Sequence, residues 1–109
     1  MDIIPYEDRY MGRILEVWNR SLTQDLISRD IFRQKVLADE NFTPALAFLA
    51  REGEELLGFL LATRRREPYL DRGLEPEKGW IVAMAVAPEH RRQGIGTRLL
   101  QAAEAALLI

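Results

Sequence analysis

The 109-residue sequence contains no cysteine and a single histidine, His90. Without cysteine the chain can form no disulfide and offers no thiolate ligand or thiol nucleophile. One histidine is too few for a multi-histidine metal centre, so we expect no bound metal. His90 also has no recognisable serine and aspartate partners, which argues against a hydrolase triad.

Neither sign of charge dominates, because 15 basic residues face 17 acidic ones and the formal net charge is −2. A chain without an overall positive field is not expected to bind nucleic acid, and we interpret the run Arg64-Arg65-Arg66 as a solvated strand end. No apolar run approaches the roughly 20 residues of a membrane-spanning helix, and the N-terminus lacks a basic signal segment. We therefore expect no membrane partner and a cytoplasmic location.

Apolar residues make up 48% of the chain, which is enough for one globular domain over residues 1–109. Periodicity predicts α/β elements in the order β-α-α-β-β-β-α. The first strand spans Asp2 to Tyr6, and a first helix, with Asp8 as its N-cap, buries a stripe of four residues: Met11, Ile14, Leu15 and Trp18. Ser28 should cap a second helix that buries Ile31, Phe32, Val36 and Leu37.

Two apolar runs then predict an antiparallel hairpin, Ala45 to Arg51 and Leu56 to Arg64, with Gly58 marking a bulge. A loop rich in proline, glycine and charge follows from Arg65 to Gly79. It is longer than most loops in compact domains, so it is either functional or mobile.

The last third of the chain reads as strand, loop and helix, and we assign residues 80–108 to ligand binding. The run Trp80 to Ala87 is apolar and short and stops at Pro88, as a buried strand does. From Ile95 onward, apolar residues recur at helical spacing while Arg98 and other polar residues take the opposite face.

Gly94 and Gly96 stand where that last helix begins, directly after Arg91 and Arg92. The first N–H groups of a helix lack intrahelical partners, and the helix dipole attracts anions there. Glycine lets the backbone approach a ligand without a Cβ in the way. We name residues 91–97 the anion loop and predict that it binds phosphate groups. The alternative is an ordinary connection whose glycines only make a turn.

The anion loop does not match two familiar phosphate motifs, because Leu99 stands where a Rossmann motif has its last small residue and no Gly-Lys-Ser/Thr follows. The segment from Arg91 to Gly96 instead resembles the acetyl-coenzyme A signature of the GNAT N-acetyltransferase family, Arg/Gln-x-x-Gly-x-Gly/Ala. In that family the signature follows a strand that ends in an apolar-x-Pro step, as Val86-Ala87-Pro88 does here, and opens an amphipathic helix. The element order also resembles the front part of the family fold.

The resemblance implies a GNAT-like antiparallel or mixed sheet that lacks the family's C-terminal elements, so we expect a truncated domain that is inactive alone. It implies acetyl-coenzyme A as cosubstrate and direct attack by a primary amine of a small molecule or peptide. The implied cofactor-binding residues lie on the strand and the anion loop: Met84, Ala85, Val86, Arg91, Arg92, Gln93, Gly94, Ile95, Gly96 and Thr97.

No catalytic residue can be assigned, since the family's usual acid, a tyrosine, would lie beyond Ile109. The free edge of the Trp80 to Ala87 strand predicts a homo-oligomer, or association with the missing C-terminal half. Two alternatives stay open: a domain that binds coenzyme A without turnover, and an interaction module that binds no nucleotide.

Overall fold

Four strands and three helices follow one another in the predicted order, in a computed structural model that describes residues 1–39, 42–64 and 79–107. The strands are β1 (Asp2–Pro5), β2 (Ala47–Glu52), β3 (Glu55–Arg64) and β4 (Gly79–Val86). The helices are α1 (Met11–Ser21), α2 (Arg29–Phe32, continued by a π-helical turn Arg33–Leu37) and α3 (Ile95–Leu107). The predicted loop, Arg65 to Gly79, lies outside the described residues except for Gly79, which is the first residue of β4. The side chains of Arg64 and Trp80 also lie outside the described part.

The strands form one antiparallel sheet in the order β1-β2-β3-β4. The predicted hairpin of β2 and β3 is confirmed, with Glu52 paired to Glu55 across a short turn. Gly53 has a φ of +61° in that turn, a conformation that side chains other than glycine adopt at a cost. Because β4 is the last strand in this order, one of its edges has no neighbouring strand among the described residues.

The sheet separates two apolar clusters. Alternate residues of β3 point to opposite faces, so Phe59 and Leu61 join one cluster while Leu60 joins the other. The first cluster holds the buried faces of α1 and α2, where Trp18 stacks on Phe59 with 5.8 Å between ring centroids. The second holds the buried face of α3. The fold is therefore α1 and α2, sheet, and α3 in three layers.

The strand pairing is interrupted by two register shifts, one between β2 and β3 and one between β3 and β4. Ala50 pairs with Gly58 and Arg51 with Leu56, so one extra residue of β3 lies in a bulge directly before Gly58, as the sequence predicted. A second shift lies between β3 and β4, where Val82 of β4 is the extra residue. Bulges increase the local twist of a sheet, and the second one lies in β4, the strand that leads to Pro88.

The helix starts agree with the sequence in one case and differ in another. Ser28 caps α2 as predicted, with its Oγ accepting a hydrogen bond from the N–H of Ile31 at 3.2 Å. The prediction of Asp8 as the N-cap of α1 is wrong, because Asp8 begins a 3₁₀ turn, Asp8–Tyr10, that precedes α1.

The predicted core differs from the observed core at a few positions. Ile31 was predicted to be buried but is 41% exposed, whereas Tyr10 and Val17, which were not predicted, are buried in the core.

Among the described residues, no helix combines the length and the apolar character needed to cross a membrane.

Candidate anion-binding site at the start of α3

The site is built on the C-terminal end of β4. On this strand Ile81 and Val82 are half exposed, at 50% and 52%, whereas Ala85 is 7% exposed. The exposed apolar side chains lie on the strand with the unpaired edge, where backbone N–H and C=O groups have no ladder partner among the described residues. β4 therefore has an apolar edge that is paired with no other strand among the described residues, and this strand leads directly to the anion loop.

Gly58 allows β3 to approach the end of β4 closely. It pairs with Val86, and a Cβ added at Gly58 would lie 2.9 Å from the carbonyl oxygen of Ala85. Real Cβ contacts of this length essentially do not occur, so any side chain there would push the two backbones apart. The sequence marked Gly58 as a bulge but gave no sign that it sets the position of Ala85 and Val86.

A 3₁₀ turn, Pro88–His90, joins β4 to the anion loop. The N–H of Ala87 donates to the carbonyl of Leu57 at 2.8 Å, which fixes the start of the turn to β3. His90 Nε2 lies 2.9 Å from a carboxylate oxygen of Glu55, the first residue of β3. Hydrogen bonds to β3 therefore hold the turn at its start, through Ala87, and at its end, through His90.

Two residues of the anion loop have positive backbone φ angles. The φ of Arg92 is 66° and that of Gly94 is 79°. Successive N–H groups in turn conformations can point toward one side and form an anion-binding concavity. A positive φ is costly for arginine, so its presence marks a backbone geometry that the surrounding structure enforces.

Helix α3 begins at the end of this loop. The carbonyl of Gly94 accepts the N–H of Arg98 at 3.1 Å, so the helical hydrogen bonds begin at Gly94. The N–H groups of Ile95, Gly96 and Thr97 consequently lack intrahelical acceptors and carry the positive end of the helix dipole. Ile95 is 3% exposed and anchors this helix end in the core.

An open cavity of about 280 Å³ lies in front of these groups. Eight residues line it: Val86, His90, Arg91, Arg92, Gly94, Ile95, Gly96 and Thr97. Seven of these belong to the ten cofactor-binding residues predicted from the sequence. Gln93 is exposed beside the cavity, and Met84 and Ala85 lie on β4 outside its lining. His90 is the residue that the sequence did not assign.

The glycines leave the mouth of the cavity open. A Cβ built on Gly94 would have no atom within 4 Å, and one on Gly96 would meet only Val86 Cγ2 at 3.9 Å. Neither glycine is therefore required by packing within the described protein. Space without neighbours at the start of a helix, next to two arginines, fits the phosphate groups of a nucleotide cofactor.

The charges around the cavity fall into two groups. Arg91 and Arg92 are exposed, and Arg91 Nε donates to the carbonyl of Val86 at 3.2 Å. Glu89 is engaged by Arg20, whose two nitrogens donate to its two oxygens at 3.1 and 2.5 Å. This pairing holds the pKa of Glu89 below its ordinary value and raises that of Arg20.

Glu55, Glu89 and His90 bring ligand-type atoms within 4.8 Å of one another. Because Arg20 already occupies both oxygens of Glu89, a cation bound there would have to displace it. The cluster consists of an ion pair between Arg20 and Glu89 and a hydrogen bond between His90 and Glu55, both at the turn.

The antiparallel sheet, its bulged β4 and the anion loop at the start of α3 together define an acetyltransferase-type fold. The sequence matches the model of the Acetyltransferase (GNAT) family over residues 8–108, and the chain belongs to this family. The predicted resemblance and the predicted fold class are thereby confirmed.

Individual relatives agree with this assignment. The chain is 27% identical over 100 residues to N-alpha-acetyltransferase 30 of Schizosaccharomyces pombe (strain 972 / ATCC 24843), which covers 92% of this chain and 60% of that protein. A GNAT family acetyltransferase from Brucella melitensis, solved in complex with acetyl-CoA, superposes with a TM-score of 0.75 at 21% identity, over 98% of this chain and 68% of its own. An aminoglycoside antibiotic 6'-N-acetyltransferase from Acinetobacter haemolyticus gives a TM-score of 0.68 at 26% identity, over 96% and 70%. The chain thus spans about 60% of the length of its curated relative.

Proposed function

We propose that this chain binds acetyl-coenzyme A and takes part in transfer of its acetyl group to a primary amine. One observation carries the proposal: an open cavity at the N-terminus of α3, lined by two arginines and by the anion loop, in which Arg92 and Gly94 have positive φ angles. Membership of the acetyltransferase family supports the same conclusion.

In this proposal the anion loop holds the pyrophosphate. The N–H groups of residues 92–97 donate to its oxygens, and each charge-assisted hydrogen bond contributes about 1.5–3 kcal/mol. Arg91 and Arg92 add cations at the rim of the cavity. The edge of β4 at Met84 to Val86 binds the pantetheine arm through backbone groups other than the Val86 carbonyl, which already accepts hydrogen bonds from Ser21 and Arg91, as the family resemblance implies.

When bound, acetyl-coenzyme A supplies a thioester whose acetyl group can pass to an amine. The contribution of this chain is to hold the cofactor against β4 and to orient the thioester end along the strand. We assign no general acid or base, because no described side chain is tied by its geometry to a reacting atom.

The ease of deprotonation ranks the candidate acceptors. A lysine-type amine with a pKa near 10.4 is only about one part in a few thousand neutral at pH 7, whereas an α-amino group with a pKa of about 7.7–8.0 is roughly a tenth neutral. An α-amine therefore requires the least help from a base. N-alpha-acetyltransferase 30 among the relatives supports a peptide N-terminus as the first acceptor to test, and the aminoglycoside enzyme supports small-molecule amines as the second.

Thiol release from acetyl-coenzyme A, measured across short peptides with free or blocked N-termini and a set of aminoglycosides, tests the proposal. Amine-dependent release supports transfer. Binding of coenzyme A without release under any acceptor would fit both the expectation that the chain is inactive alone and the alternative of a cofactor-binding domain without turnover. Absence of any thermal shift at millimolar acetyl-coenzyme A would favour an interaction module.

We also propose that the edge of β4 is covered in the working protein, either by a second copy of the chain or by a further segment such as its longer relatives possess. The exposed apolar side chains of Ile81, Val82 and Met84 support this, since unpaired apolar edges pair readily with other strands. A cytoplasmic location stays a prediction, which cell fractionation would test.

A further inference from the structure

The C-terminal end of α1 is attached to the segment between β4 and the anion loop. Arg20 Nη1 and Nη2 donate to the two carboxylate oxygens of Glu89, which lies 69 positions away along the chain. The next residue, Ser21, donates its hydroxyl to the carbonyl of Val86 at 3.2 Å. Two consecutive side chains of α1 therefore bind both ends of the segment from Val86 to Glu89.

Neither Arg20 nor Ser21 lines the cavity in front of α3. Glu89, however, lies in the Pro88–His90 turn, two residues before Arg91, and Val86 itself lines the cavity. A shift of this turn would move the first residues of the anion loop with it. The opposite side of the turn is held by the contact between His90 and Glu55.

We propose that Arg20 is a positioning residue for the anion loop, which it holds in its anion-binding geometry through the two hydrogen bonds to Glu89. The proposal rests on the proposed function, since it states how the same cavity acquires its affinity. Binding to a loop that is already in place costs less conformational entropy than binding that must first order the loop.

The pair is suited to this role because it adds little to global stability. The side chains of Arg20 and Glu89 are 53% and 48% exposed, and ion pairs at such exposure contribute little to folding. Variants at either position should therefore fold. A change in affinity for the cofactor can then be separated from a change in stability.

The test is a double-mutant cycle in coenzyme A affinity, measured by calorimetry on Arg20→Ala, Glu89→Ala and the double variant. We expect each single variant to bind about fivefold more weakly and the double variant to bind no more weakly than either, as for two groups that act as one unit. The reversed pair, Arg20→Glu with Glu89→Arg, should recover most of the affinity.

Arg13→Ala is the matched control. Arg13 is an exposed arginine on the same helix, and its ion pair, to Glu54 at 3.9 Å, does not involve the turn. Its loss should leave the affinity unchanged. The salt dependence of binding should also keep its slope in Arg20→Ala, because a positioning residue makes no direct contact with phosphate.

Several results would overturn the proposal. If Glu89→Ala binds more tightly than the wild type, Arg20 merely neutralises a carboxylate that repels the ligand. A flattened salt slope in Arg20→Ala would mean direct contact with the anion. Equal affinities for Arg20→Ala, Arg13→Ala and the wild type would remove the positioning role alone, whereas no binding by the wild type would remove the proposed function and this inference together.

Discussion

A side chain at Gly96 should affect the stability of the protein and its affinity for coenzyme A in different ways. It is the second residue of α3, and a Cβ there would contact nothing closer than 3.9 Å. In the free protein we therefore expect Gly96→Ala to be neutral or to stabilise by up to about 1 kcal/mol, the helix propensity difference. In the site the same Cβ occupies space in front of the free N–H groups, so we expect coenzyme A affinity in calorimetry to fall at least tenfold.

Gly12→Ala is the control for Gly96→Ala. Gly12 is likewise the second residue of its helix, α1, and a Cβ there would make an ordinary contact at 3.5 Å with Arg29 Nη2. The stability of Gly12→Ala should change in the same direction as that of Gly96→Ala, while its affinity for coenzyme A should equal that of the wild type. Equal affinities for the two variants would show that the start of α3 does not approach the ligand.

Arg92 combines a charge with a strained backbone, and two substitutions separate these properties. The φ of Arg92 is 66°, which is costly for alanine but not for glycine. The unfolding free energy of Arg92→Gly should therefore be about 1 kcal/mol higher than that of Arg92→Ala. Both variants lose the cation, so both should bind coenzyme A more weakly and with a flatter salt dependence than the wild type. Chemical denaturation and titration at two salt concentrations measure both effects. An unchanged salt slope would make Arg92 a solvated loop residue.

Tyr6 gives the fold a dependence on alkaline pH. Its side chain is 7% exposed and packs on Phe42, and burial, with a smaller contribution from Asp8, raises the pKa of its phenol above the ordinary value of 10.0. Because the unfolded chain loses this proton first, the stabilisation is complete below pH 10 and declines as the pH rises further. Denaturation midpoints between pH 9 and 11 should fall less in Tyr6→Phe than in the wild type. Identical pH profiles would show that Tyr6 is not the group responsible.

At the scale of elements, the pairing of β3 with β4 sets the geometry of the site. Gly58→Ala would place a Cβ 2.9 Å from the carbonyl of Ala85, and relief of this contact should cost about 1–3 kcal/mol in stability. The displaced end of β4 should also lower coenzyme A affinity, measured well below the unfolding transition. Leu49→Ala, in the core of β2, is the control that loses stability without moving β4. Equal affinities in both variants would contradict a role of β3 in the site.

The sequence predicted the elements better than their contacts. Periodicity located α1 and α3, because three positions of each stripe, such as Ile95, Leu99 and Ala103 in α3, are buried as expected. It failed at Asp8, where a local capping preference gave way to a 3₁₀ turn, and at Ile31, where α2 is too short to bury every apolar residue. It gave no information on Arg20 or Ser21, since contacts to residues distant along the chain leave no periodic signal.

At the scale of the whole molecule, the candidate site was predictable because its parts are contiguous in sequence. Strand end, loop and helix start follow one another within residues 84–97, and glycine and arginine carry their own physical signals. An amine site, which the proposed function requires, was not predictable, because no motif in the sequence marks residues for it.

The free edge of β4 predicts association in solution. We expect light scattering to give a mass above that of the 12.6 kDa chain, because Ile81 and Val82 are half exposed on β4, one edge of which has no neighbouring strand among the described residues. Ile81→Lys should shift the chain toward the monomer, as charges on an edge strand discourage pairing. Gln101→Lys, which adds the same charge at an exposed position of α3, is the control. A wild-type monomer at all concentrations would contradict the role given to this edge.

The most direct measurement of the central claim is a titration of the isotope-labelled chain with coenzyme A, followed through its backbone amide resonances. We expect saturable changes in amide chemical shift that are largest for residues 92–97 and smaller for residues 84–86. The amides of β1 should be unaffected. Binding that shifts amides elsewhere and leaves Gly94, Gly96 and Thr97 unchanged would contradict the claim, and so would the absence of any shift at millimolar ligand.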